Sequence, residues 1–120
     1  MRGLFFSLSF VLAVSAWGAA ASFRASASSS EAVEQGKAIA MDRKRGNCMS
    51  CHVMGDAKLP GNIGPPLVAM KARYPDKAKL RAQVWDATAR NPQSLMPPFG
   101  KHGILSDGDI DKIVEYLLTL

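Results

Sequence analysis

The two cysteines of this sequence lie beside a histidine, in Cys48-Met49-Ser50-Cys51-His52. This C-x-x-C-H spacing is typical of c-type haem attachment, in which both thiols add across the haem vinyl groups and the adjacent histidine ligates the iron. Two intervening residues allow both sulfurs to reach neighbouring edges of one porphyrin, and the residue that follows brings its imidazole under the metal. The motif therefore predicts one covalently attached haem c, held by Cys48, Cys51 and His52.

Three other uses of a cysteine pair fit the sequence less well. A thioredoxin-like motif would follow a strand in a βαβ unit, and no strand pattern precedes Cys48. A structural zinc site needs four ligands, and His102 is the only other donor of the usual kind that remains. A disulfide between Cys48 and Cys51 would close a loop too short to stabilise a domain much.

Iron in such a haem has a second axial position, for which the candidates are Met54, Met70, Met96 and His102. Met54 follows His52 too closely to reach the opposite face of the haem. Met70 lies on the apolar face of a predicted helix, which favours a place in the core. Met96 precedes two prolines that stiffen its loop, and it lies far enough along the chain to approach from the other side. We therefore predict His52 and Met96 as the iron ligands, with His102 as the second choice for the distal position.

Residues 1–21 have the pattern of a secretory signal peptide. The positively charged Arg2 precedes an uncharged apolar run over residues 4–17, which ends in small residues. This run is shorter than the roughly 20 apolar residues of a membrane-spanning helix, which disfavours a membrane anchor. We predict cleavage after Ala21, with Ala27 as the second choice, followed by release into the periplasm without membrane attachment.

Helical patterns and turn-forming segments alternate along the rest of the chain. Residues 22–30 are rich in Ser and Ala and lack an apolar period, so they are predicted to form a flexible linker before one domain over residues 31–120. Helices are predicted at residues 31–43, 67–74 and 77–90 and from Ser106 onward. Without period-2 alternation, the predicted fold class is all-α with about four helices. The long loops over residues 55–66 and 95–103 indicate that a large prosthetic group organises them.

The overall composition excludes several classes of protein. A chain of 120 residues has room for one small domain, which excludes a multidomain enzyme. A hydrophobic content of 48% excludes a disordered chain. The formal net charge of +5 more often reflects solubility or transient docking than a permanent interface, and no nucleic-acid partner is expected.

Four separated motifs resemble those of class I cytochromes c. They are Cys48-x-x-Cys51-His52, Gly64-Pro65-x-Leu67, Met96-Pro97-Pro98-Phe99 and the closing helix that follows Leu105. The resemblance implies a fold in which the first and last helices cross near Gly36 and Tyr116. It also implies that the Pro65 carbonyl accepts the Nδ1 proton of His52, and that Leu67 packs on the haem.

Three longer strings, residues 43–48, 60–67 and 91–105, resemble the SoxX subunits of SoxAX sulfur-oxidation complexes. That family implies a periplasmic heterodimer in which a SoxA-like cytochrome joins thiosulfate to a carrier-protein cysteine, a cysteine S-thiosulfotransferase type of reaction. The SoxX-like chain would accept the released electrons, pass them to a small cytochrome c, and contain no catalytic residue of its own. The alternative is a free-standing monohaem electron shuttle. A ligand sensor or peroxidase would need an open sixth position, which Met96 argues against.

Overall fold

The computed structural model describes residues 18–120, with side chains described from Ser28 onward. Most of the predicted signal peptide lies outside these residues. The described part of the chain forms four α-helices and, in place of a sheet, one isolated parallel bridge between Met54 and Leu67. The helices are α1 (Gly18–Met41), α2 (Met70–Arg73), α3 (Lys77–Trp85) and α4 (Asp107–Leu117), with short 3-10 turns at Cys48–Ser50 and Ala87–Ala89. The predicted all-α fold class is confirmed.

Helix α1 begins earlier than the sequence pattern indicated. Residues 22–30, predicted to be a flexible linker, lie within this helix, as do the predicted cleavage positions Ala21 and Ala27. Alanine is the best helix former, and no proline interrupts the segment. The side chains from Ser28 to Glu31 are exposed, so local helix propensity rather than tertiary packing supports this part of α1.

The first and last helices touch through their backbones at Gly36. A Cβ atom added there would lie 1.9 Å from the carbonyl oxygen of Lys112 and 3.0 Å from the amide nitrogen of Ile113. Only glycine allows this approach, which explains a residue that costs a helix interior about 0.5–1 kcal/mol relative to alanine. The crossing expected near Gly36 is therefore confirmed, but it meets α4 at Lys112, about one turn before Tyr116.

Helix α4 begins where the sequence predicts. The Ser106 hydroxyl accepts a hydrogen bond from the amide of Asp109 at 3.2 Å, which satisfies a free donor of the first turn. The apolar stripe of α4 is buried through Ile110, Ile113, Val114 and Leu117. At the edge of this stripe, Arg81 of α3 pairs with Asp107 and Asp111, at 2.6 Å each.

Helices α2 and α3 are both shorter than predicted. Helix α2 begins at Met70 rather than at residue 67, because the Leu67 amide donates to the Val53 carbonyl at 2.8 Å and Ala69 has a left-handed φ of 51°. Helix α3 ends at Trp85 rather than at residue 90. There Asp86 is extended and its carboxylate accepts from the Thr88 amide at 3.0 Å, so the side chain caps the next 3-10 turn.

The core lies between α1, α3 and α4 and includes the segments on either side of α2. Its members are Ile39, Ala40, Met54, Leu67, Met70, Leu80, Val84, Phe99, Leu105, Ile110, Ile113, Val114, Tyr116 and Leu117. Among the described residues, no helix is both long and apolar enough to span a lipid bilayer.

Candidate haem site

The C-x-x-C-H motif forms a tight turn directly after α1. Asn47 has a left-handed φ of 47° and opens the 3-10 turn at Cys48–Ser50. The carbonyl of Cys48 then accepts hydrogen bonds from the amides of Cys51 at 3.2 Å and His52 at 3.0 Å. One turn of backbone therefore carries both thiols and the imidazole.

The state of the thiols argues against a redox-active cysteine pair. Cys48 and Cys51 are free and half-buried. Burial raises the pKa of the Cys48 thiol to about 11, so this thiol is protonated at neutral pH. Redox-active C-x-x-C motifs instead depend on a thiol whose pKa is lowered.

The zinc alternative receives no support from the described residues. They contain no group of three or more His, Cys, Asp and Glu side chains that could hold a metal ion. His102, the remaining donor considered from the sequence, is exposed.

The imidazole of His52 is fixed by two consecutive residues of the loop over residues 55–66. Its Nδ1 lies 2.7 Å from the carbonyl oxygen of Pro65. Because a carbonyl can only accept, Nδ1 carries the proton and Nε2 keeps the lone pair that a metal needs. A Cβ atom at Gly64 would lie 2.3 Å from Cε1 of His52, so the ring rests directly on the Gly64 backbone.

The same loop also contacts the motif through Gly61 and Gly64. Gly61 donates its amide proton to Met49 at 2.9 Å, and Gly64 donates to Cys51 at 2.8 Å. A Cβ atom at Gly61 would lie only 1.9 Å from the carbonyl oxygen of Ser50. The sequence analysis placed Gly61 in a turn-forming segment and Gly64 in the motif Gly64-Pro65-x-Leu67, but it did not predict that either glycine contacts the C-x-x-C-H turn.

The chain after Pro65 is held in place by Arg73 of α2. Its Nη1 donates to the carbonyl of Pro66 at 2.8 Å. Leu67, which the family resemblance places on the haem, is 9% exposed and forms the parallel bridge with Met54.

The four candidates for the distal ligand differ in burial. Met54 is 1% exposed and Met70 is 2% exposed, and both belong to the core. The Met70 sulfur also lies 3.5 Å from Nη1 of Arg73. Met96 is half-buried at the edge of the core, whereas His102 is exposed. Ligation by Met96 stays a prediction.

The segment that carries Met96 is tied to the end of α3. The Trp85 carbonyl accepts from the amides of Gly100 at 3.1 Å and Lys101 at 3.2 Å. The Asp86 side chain is buried and pairs with Nζ of Lys101 at 2.8 Å. Hydrogen bonds from Lys101 and then Thr88 lower the pKa of Asp86 to about 2, so the carboxylate is ionised at neutral pH. The sequence analysis did not predict the pairing of Asp86 with Lys101. The spacing of Asp86 and Thr88 is typical of a capping aspartate, but it indicates only the contact with Thr88.

These residues fit a haem. The donor set comprises two free thiols, an imidazole with a directed Nε2 and a half-buried thioether, the combination that c-type haem with His and Met ligation requires. Large apolar side chains remain exposed on the segments around these donors, as an apolar macrocycle needs for packing. They are Val53, Leu59, Ile63, Val68, Trp85, Leu95 and Ile104.

Comparisons with known proteins agree with this site. The family described as cytochrome c oxidase, cbb3-type, subunit III matches residues 31–117. The crystal structure of SoxXA from P. pantotrophus is similar, with a TM-score of 0.64 and 30% sequence identity over 72% of this chain and 79% of that chain. An uncharacterized lipoprotein of Aquifex aeolicus (strain VF5) is 37% identical over 76 residues, which cover 62% of this chain and 36% of that protein. The chain therefore spans only about a third of that curated relative.

The family match extends from the exposed start of the predicted domain almost to the end of the chain, and it includes every residue of the candidate site. Membership implies haem c as the cofactor and electron transfer as the function. This chain belongs to the cytochrome c family described as cytochrome c oxidase, cbb3-type, subunit III.

Proposed function

We propose that this chain is a SoxX-like electron-transfer subunit. In this role it accepts the electrons released when a SoxA-like cytochrome joins thiosulfate to a cysteine of a carrier protein, and it passes them to a small cytochrome c. The observation that carries this proposal is the similarity to SoxXA, at 30% identity over 79% of the matched chain. The three sequence strings that resemble SoxX add to that support.

A single haem would be held through thioether bonds to Cys48 and Cys51, and His52 and Met96 would be the iron ligands. When bound, the haem supplies an iron that gains and loses one electron. Hydrogen bonding from Nδ1 to Pro65 makes Nε2 of His52 a better donor. A methionine opposite histidine raises the reduction potential, which suits an acceptor of electrons. Leu67, which is buried, would pack against the haem.

We place the protein in the periplasm. The pattern of residues 1–21 supports this location, because it matches a cleaved export signal. Covalent attachment of haem through C-x-x-C-H is consistent with it. The Aquifex relative, which is described as a lipoprotein, adds support for a site outside the cytoplasm.

The subunit role is tested by coexpression with a SoxA-like cytochrome from the same source. Gel filtration at low and high salt, followed by a haem stain, reports whether the two chains elute together. A subunit with an apolar interface core stays bound at both ionic strengths, whereas a free shuttle loses its partner steeply as salt rises. Elution as a monomer at low salt, beside a separate SoxA peak, would contradict the subunit role and leave the shuttle.

Ligation by Met96 has its own test. Ferric haem with a methionine ligand shows a weak near-infrared charge-transfer band, which we expect in the wild type and not in Met96→Ala. Met41→Ala is the matched control, because Met41 is also half-buried at the edge of the core but lies on α1. A band that persists in Met96→Ala would move the assignment to Met70.

A further inference from the structure

We propose that Asp86 is a positioning residue for the distal ligand. Through Lys101 it closes the base of the Met96 loop, defined as residues 87–100, and so keeps the thioether of Met96 on the iron. This inference rests on the ligation by Met96 proposed above. It assigns a role to a buried carboxylate that takes part in neither haem attachment nor iron ligation.

The carboxylate of Asp86 uses both of its oxygens at the base of the loop. Oδ2 lies 2.8 Å from Nζ of Lys101, which is the first residue after the loop. Oδ1 accepts from the amide of Thr88 at 3.0 Å and also from the Thr88 hydroxyl, at the start of the loop. Asp86 is only 7% exposed, which makes it the one buried charged residue among the described side chains. One side chain therefore joins the two ends of the loop.

The backbone closes the loop at the same place. The carbonyl of Trp85 accepts from both Gly100 and Lys101. A Cβ atom at Gly100 would lie 1.9 Å from Cδ1 of Trp85, so the indole packs directly against the backbone at the C-terminal end of the loop. Holding the two ends together removes much of the conformational freedom of the segment between them.

Inside the loop, the conformation of Met96 depends on local turns. The amide of Ser94 donates to the carbonyl of Asn91 at 2.9 Å, and the amide of Met96 donates to Oγ of Ser94 at 3.2 Å. Phe99 is buried in the core and anchors the C-terminal end of the loop. These contacts shape the loop, while its attachment to α3 is made at Trp85 and Asp86. Loss of the Asp86 charge therefore loosens the base and makes the thioether easier to displace.

The affinity of the ferric holoprotein for imidazole measures how easily the thioether is displaced, because imidazole must replace Met96 on the iron. We expect Asp86→Asn and Lys101→Met each to raise the affinity for imidazole by about tenfold, the scale of one charge-assisted hydrogen bond. Lys101→Arg preserves the pair and should stay within about twofold of the wild type. The double variant should show no further increase, since both changes remove one interaction.

Asp56→Asn is the matched control. Asp56 pairs with Lys37 at 3.0 Å, so this variant breaks another Asp–Lys pair that lies outside the Met96 loop. It should leave the imidazole affinity unchanged. A purely structural role for Asp86 would lower the urea midpoint without changing imidazole affinity in the absence of urea.

The two proposals fail in different ways. Affinities within about twofold of the wild type in both Asp86→Asn and Lys101→Met, with the near-infrared band lost in Met96→Ala, would overturn the positioning role alone. A band that survives in Met96→Ala would overturn the ligation and this inference together. The isosteric Asp86→Asn keeps the shape of the site, and Lys101 is half exposed, so at least one variant is expected to fold.

Discussion

Nδ1 of His52 lies 2.7 Å from the carbonyl oxygen of Pro65, which joins the C-x-x-C-H turn to a loop thirteen residues further along the chain. The preceding residue, Gly64, supports the face of the same ring. The hydrogen bond fixes the tautomer and the contact fixes the tilt of the ring. Pro65 and Gly64 thereby set the protonation and the orientation of the imidazole, and they leave the lone pair of Nε2 available to a metal.

Gly64→Ala should disturb this arrangement. The added Cβ would lie 2.3 Å from Cε1 of His52, so either the ring or the loop must move. Such overpacking costs about 1–3 kcal/mol of unfolding free energy. Urea unfolding followed by haem absorbance measures the loss. Asn62→Ala, at an exposed neighbouring residue, is the control and should be nearly neutral. Equal stability of the two variants would show that the ring does not depend on Gly64.

Gly36→Ala and Gly108→Ala form a pair with opposite expected signs. At Gly36 the added methyl group meets the Lys112 carbonyl at 1.9 Å, so α1 and α4 must separate. We expect Gly36→Ala to lower the free energy of unfolding by about 1–3 kcal/mol. Gly108 lies in α4, where an added Cβ would meet no neighbouring residue within 4 Å. Because alanine is the better helix former, Gly108→Ala should raise the free energy of unfolding by up to about 1 kcal/mol. Urea midpoints of both holoproteins test this, and stabilisation by Gly36→Ala would contradict the backbone contact.

The sequence predicted the parts of the fold that depend on local patterns. The buried face of α1, including Gly36, and the start of α4 at Ser106 follow from helical spacing and capping. Helix ends that depend on distant contacts were wrong. Helix α2 starts late because Leu67 bonds to Val53, and no pattern near residue 67 reveals this partner.

The candidate site shows the same division. The attachment motif is local, so its spacing alone indicates the chemistry. Asp86 and Lys101 are fifteen residues apart, and each looks like an ordinary surface charge in the sequence. Their pairing depends on how the Met96 loop returns to α3, which is a tertiary property. The contact of Gly64 with His52 was hidden for the same reason.

Cys48→Ala and Cys51→Ala should each remove one thioether bond and greatly reduce the amount of haem-bearing protein. Each remaining thiol can hold only one edge of the porphyrin, and c-type attachment depends on both. A haem stain after denaturing electrophoresis, compared with an immunoblot for total chain, measures the covalently bound fraction. Ser50→Ala is the control, because Ser50 is exposed between the two cysteines. An unstained wild-type band from exported protein would contradict covalent attachment.

The contribution of Asp86 to stability should depend on pH in the acid range. Hydrogen bonds from Lys101 and then Thr88 lower its pKa to about 2, whereas an aspartate in an unfolded chain has a pKa of about 3.9. The folded state thus binds this proton less tightly than the unfolded state. The stabilisation is fully present above the unfolded pKa and disappears as the pH falls through the folded pKa. It should therefore be lost between about pH 4 and pH 2.

Asp86→Asn removes this titration, so the difference in urea midpoint between wild type and variant should be largest at neutral pH and shrink below about pH 4. Far-UV circular dichroism at a series of pH values gives the midpoints.

Asp56→Asn provides the comparison. The pKa of Asp56 is also lowered, chiefly by its hydrogen bond from Lys37. However, its side chain is 75% exposed, so solvent screens the pair. Its midpoint difference should be small at every pH. A difference for Asp86→Asn that stays constant from neutral pH to about pH 2 would show that the carboxylate acts through its shape and not through its charge.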